Sequence, residues 1–120
     1  MVDYNSIHTG AAIDAAITSV STKADKNVTI QTKSASYSLV AGDNNNIIEF
    51  DTTSTVTLPD GLDTGFQCVI VNTGSAQTIT LSATTTLTSK GSLVTITSQY
   101  GAVTVVHVGS NVWRAYGDLA

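Results

Sequence analysis

The sequence predicts a mainly β protein: an antiparallel β-sandwich or barrel-like knob, preceded by a short N-terminal helix that trimerises. Three observations carry this. Of 120 residues, 42% are hydrophobic but only 12% are charged, about half the charge of an average soluble protein; Ser, Thr and Asn fill the difference. From Val28 onward, segments of about five to seven residues rich in Val, Ile and Thr alternate with Gly, Asn and Asp clusters, the pattern of short strands and turns. Before that point, between Gly10 and Ala24, the apolar residues follow a helical period instead.

The helix comes first. Ile13, Ile17, Val20 and Ala24 are spaced four, three and four, a seam with a period near 3.5. Thr9 is placed to cap its start, Asp14 lies toward the positive end of the helix dipole, and Lys23 and Lys26 lie at the negative end. Thr18, Ser19, Ser21 and Thr22 are poor helix formers, and about 15 residues is marginal for an isolated helix. The helix therefore needs a partner. Isoleucine at both seam positions favours three or four helices over two; packing against the sheet of its own chain is the alternative. Residues 1–27 are read as an attachment segment plus oligomerising helix, and residues 28–120 as the β domain.

Within the β domain, strands are expected at 28–32, 36–40, 46–50, 55–58, 66–72, 78–82, 93–97, 103–108 and 112–116. Turns are expected at Ala41-Gly42-Asp43-Asn44, Pro59-Asp60-Gly61, Thr73-Gly74-Ser75, Lys90-Gly91, Tyr100-Gly101 and Gly109-Ser110-Asn111. Thr78-Ile79-Thr80-Leu81 and Val94-Thr95-Ile96-Thr97 alternate strictly, as strands with one wet face do. Residues 66–71 and 103–108 are more continuously apolar, as strands covered on both sides would be. Several short strands about 8–12 residues apart point to an antiparallel sandwich or barrel. No repeat of fixed period is found, so no solenoid is expected.

Composition and motifs exclude several function classes. The net charge is -4, with four Lys and one Arg, so a basic footprint for nucleic acid is missing and an anionic membrane would repel the chain. No apolar run approaches the roughly 18 residues of a membrane span, and the N-terminus shows no signal-peptide pattern, which predicts synthesis in the cytoplasm. Cys68 is the single cysteine, in the apolar run Phe66-Gln67-Cys68-Val69-Ile70-Val71, and reads as a buried, inert thiol. His8 and His107 stand nearly a chain length apart; His8 reads as part of the helix start or an attachment contact, His107 as a core or interface residue. The acidic turns, Asp60-Gly61-Leu62-Asp63 and Gly42-Asp43-Asn44-Asn45-Asn46, hold fewer carboxylates than a calcium site usually gathers. Glu49 and Asp51 share a strand face, a spacing too common to signal glycoside hydrolysis. No nucleophile triad or phosphate loop appears. The expectation is a protein that is not an enzyme and holds no cofactor or metal. Tyr100, Trp113 and Tyr116 could together form a stacking platform for a glycan, but a single Trp in a small β domain more often closes the core, and the core is the favoured place for Trp113.

The stretch Asn5-Ser6-Ile7-His8-Thr9-Gly10-Ala11-Ala12-Ile13-Asp14-Ala15-Ala16-Ile17 resembles the NSIHTG-x-x-IDAA segment of tailed-bacteriophage tail-fibre and related virion proteins. Tyr37-Ser38-Leu39-Val40, Ile48-Glu49-Phe50, Val56-Thr57-Leu58-Pro59, Gly65-Phe66 and the ending Asn111-Val112-Trp113-Arg114-Ala115-Tyr116-Gly117-Asp118-Leu119 resemble a β module of the same proteins. The resemblance implies a homotrimeric virion appendage whose N-terminal segment, with Tyr4, Ile7 and His8, attaches to other virion proteins. It would leave the β knob exposed; separately, the aromatic residues Tyr100, Trp113 and Tyr116 would make a host surface glycan a further partner. The chain has no long shaft, which makes a capsid decoration protein the rival reading; a carbohydrate-binding module is the third.

Overall fold

Alternation of apolar residues with Thr, Ser and Asn gives most strands two unlike faces, and two sheets close their apolar faces over one core. The computed structural model describes residues 27–120; the seam residues Ile13, Ile17, Val20 and Ala24 and the attachment residues Tyr4, Ile7 and His8 lie outside the described residues. The chain is mainly β. Ten strands follow one another: β1 Ile30–Lys33, β2 Tyr37–Ser38, β3 Ile47–Phe50, β4 Ser54–Leu58, β5 Gln67–Asn72, β6 Ile79–Ala83, β7 Thr86–Ser89, β8 Thr95–Ile96, β9 Ala102–Gly109 and β10 Val112–Gly117. One sheet has the order β1-β3-β5-β9-β10-β7 and the other β2-β4-β6-β8.

The first six strands alternate between the sheets, and each return lays the new strand parallel to its predecessor. This is a solenoid-like coil of three turns, not the antiparallel sandwich or barrel expected. Gly, Asn and Asp bend the chain but do not say whether it folds back or crosses to a second sheet. The fixed-period test fails because the turns differ in length, although Ile30, Ile47 and Val69 still stand in register. Antiparallel pairing appears only in the second half: β9 with β5 and with β10, and β8 with β6. The one tight hairpin, β9 to β10, is turned by Ser110 and Asn111 at φ 54° and 57°, the two successive positive φ values that favoured hairpin turns demand. Strand β7 is not among the expected strands, because Thr86-Leu87-Thr88-Ser89 offers one apolar residue; it holds its place by parallel pairing with β10.

Register stacks like on like. Ile48 lies beside Ile70 and Val56 beside Leu81 on the inner faces, all buried, each contributing about 1.5–3 kcal/mol. The first turn is different: Gln31 and Lys33 stand where Ile48 and Phe50 stand one turn later. Polar residues on an end turn close the stack, as terminal turns of repeat structures do. Gln31 donates to the buried Asp43 carboxylate (2.7 Å), and the Lys33 ammonium lies 4.2 Å from the centre of the Tyr37 ring.

Asn72, fully buried at the end of β5, joins the sheets at the other end of the coil. Its amide nitrogen donates to the carbonyls of Gln77 and Ile96 (3.2 Å each), and its Oδ1 accepts from the Gly74 N–H (3.1 Å) and from Gln77 Nε2 (2.6 Å). Gln77 Nε2 also donates to the Phe50 carbonyl, 3.0 Å away. Asn72→Ala orphans these buried groups and should lower the unfolding free energy by about 2–4 kcal/mol, measured as a shift of the urea midpoint. Gly117→Ala should also destabilise, because at φ 134° its Cβ would stand 2.4 Å from the Ala102 carbonyl oxygen.

Candidate functional site

The groups with most chemical potential are withdrawn into the core. Cys68 is 2% exposed; burial, with the Asp43 charge as the lesser cause, pushes its thiol up to about 12. A thiol held protonated is a poor nucleophile. His107 faces inward on β9, directly opposite Trp113, with ring centroids 5.1 Å apart and planes at 67°. Neither of its ring nitrogens has a hydrogen-bond partner among the described residues. Trp113 is fully buried, edge-on to Phe66 at 5.6 Å, and its indole N–H donates to the Pro59 carbonyl (3.0 Å). Trp113 therefore belongs to the core and cannot stack on a glycan, which corrects the three-residue platform: only Tyr100 and Tyr116 of that set face solvent.

The acidic turns are likewise occupied by structural work. The Asp43 carboxylate points inward and accepts from Gln31, from the Tyr37 hydroxyl (2.8 Å) and from the Val40 N–H (2.9 Å). Burial, then the bond to Asp43 and its charge, push the Tyr37 phenol up to about 12. Asp60 accepts from the Thr85 hydroxyl at 2.7 Å. Among the described residues no group of three or more His, Cys, Asp or Glu is arranged to hold a metal ion.

What remains is surface. Several concave regions open on the described residues; a polar one of about 460 Å³ is lined by Asn27, Gly42 and Asn44, and two others lie on the six-stranded sheet, one across β3, β5 and β9 and one at the β7–β10 edge. The first of these two, about 380 Å³, is mostly apolar and includes Val28, Ile47, Val69 and Thr104; Val28 and Ile30 beside it are 56% and 61% exposed. The other, about 450 Å³, lies where β7 ends before β10 does. Strand β7 pairs with Val112–Ala115, then turns away at Lys90–Ser92, leaving Tyr116 and Gly117 beyond its reach. Arg114 and Tyr116 project from β10, on the opposite face from Trp113. Lys90 adds a second cation, and Leu93 and Leu119 supply apolar surface. The sequence points to Tyr116 but not to this groove, because Lys90 and Arg114 come to line one groove only through the β7–β10 pairing.

Both raised acids have the same consequence for stability. The unfolded chain releases the Cys68 proton from about 9 and the Tyr37 proton from about 10, whereas the folded chain holds both to about 12. Above pH 9 the unfolded state binds fewer protons, so stability should be complete below that point and fall as pH rises toward 12. Cys68→Ala should delay the onset of the fall to about pH 10 in urea titrations at stepped pH. In the native protein Cys68 should resist a thiol-directed disulfide reagent at pH 8 and react fully once unfolded.

No family model matches the chain, and no curated protein or solved structure matches it.

Proposed function

We propose that this chain is a structural protein of a tailed-phage virion, a small homotrimeric appendage made in the host cytoplasm and built into the particle. The observation that carries the reading is the segment Asn5 to Ile17, with its resemblance to virion proteins and its continuation into the Ile13, Ile17, Val20, Ala24 seam. Exposed Val28 and Ile30, which follow that seam directly, support a neighbour at this end of the β domain. The role is contact and not catalysis, which accords with a buried, protonated Cys68 and a buried His107. No cofactor is part of it.

Purified protein should have about three times the monomer mass in light scattering, and Ile17→Asp should dissociate it. A monomer at micromolar concentration would sink the trimer. Deleting residues 2–10 should abolish incorporation into particles while β-type circular dichroism and oligomeric mass persist. If the truncated chain still enters virions at normal copy number, attachment belongs to the β domain. Imaging of the particle distinguishes a tail appendage from capsid decoration by position.

A further inference from the structure

We propose that the groove at the β7–β10 edge is a docking site for an extended acidic peptide in which a carboxylate side chain neighbours an aliphatic one. The inference is independent of the virion role. Three described residues carry positive charge, Lys33, Lys90 and Arg114. Lys33 is engaged over the Tyr37 ring, and the other two both line this groove. No carboxylate lines it, although the chain as a whole is acidic. A pair of cations without a lining carboxylate, on a molecule of net charge -4, favours an acid placed at this point.

The shape and chemistry of the remainder specify a peptide. Strand β7 stops at Ser89, opposite Ala115, while β10 runs on to Gly117. An extended segment laid beyond the end of β7 would follow the line of that strand along β10, as peptides do when they add to a sheet edge. Leu93, 40% exposed, and the half-buried Leu119 offer apolar contact for an aliphatic side chain. Arg114 presents a planar fork matched to a carboxylate, with Lys90 as the second cation. Tyr116, 56% exposed, closes one side. A saccharide would find one aromatic face here and two leucines, a poorer fit than an aliphatic side chain makes.

The test uses the full chain, labelled with nitrogen-15, and an acetylated, amidated pentapeptide alternating valine with glutamate. Its glutamine counterpart and trigalacturonate serve as comparisons. The glutamate peptide should shift the amides of Leu93, Tyr116 and Leu119 and bind about tenfold more tightly than the glutamine peptide. Arg114→Gln, at an exposed position, should erase that difference, and raising salt from about 50 to 500 mM should narrow it. Equal binding of the two peptides, tighter binding of trigalacturonate, or no shift up to about 5 mM peptide would each overturn the proposal.

Discussion

One buried amide holds the two sheets in their mutual position. Asn72 sits where β5 leaves the six-stranded sheet, and its side chain reaches the Ile96 carbonyl on β8 of the other sheet. Through Gly74 and Gln77 it also shapes the turn that carries the chain across. Apolar packing alone is nondirectional and would tolerate sliding of one sheet over the other. A buried amide with both ends satisfied tolerates little, because any displacement leaves polar atoms dry and unpaired. The backbone adds to the same lock: the Asn72 N–H donates to the Gly101 carbonyl, and the Tyr100 N–H donates to the Asn72 carbonyl. The start of β9 is therefore fixed by the end of β5.

Asp43 performs the corresponding task at the first turn. A coil of parallel strands ends in an open turn, where inward positions have nothing to stack on. Gln31, Lys33 and Tyr37 occupy that end, and the Asp43 carboxylate gathers Gln31, Tyr37 and the Val40 N–H. At the far end the chain changes pairing mode: β9 pairs antiparallel with β5, and β10 pairs antiparallel with β9. The three turns are thus bounded by a polar cap on one side and a hairpin on the other. Between them the inner rows are mostly apolar, interrupted by the buried Ser54 on β4 and Asn72 on β5.

Cys68, His107 and Trp113 are all turned inward, away from solvent. The two concave regions on the six-stranded sheet differ in kind. The apolar one runs from Val28 across β3, β5 and β9. The cationic one lies at the β7–β10 edge of the same sheet.

The sequence by itself determined the strands and the inward rows. Nine of the expected strands have a counterpart, because Val, Ile and Thr alternating between Gly and Asn clusters define a two-faced extended chain whatever it pairs with. Burial of Cys68 and the favoured core placement of Trp113 were legible for the same reason: each lies among residues that must leave water. Pairing was not legible. Whether Pro59-Asp60-Gly61 returns a strand to its neighbour or sends it across to the other sheet depends on which apolar face is open, and local turn chemistry does not encode that. Strand β7 exists because β10 needed a partner, and the meeting of Lys90 with Arg114 follows from that pairing. Side-chain periodicity is a local property, whereas strand order is settled by the long-range burial of the whole core, and that is why only the tertiary structure decided the solenoid-like path and the groove it leaves open.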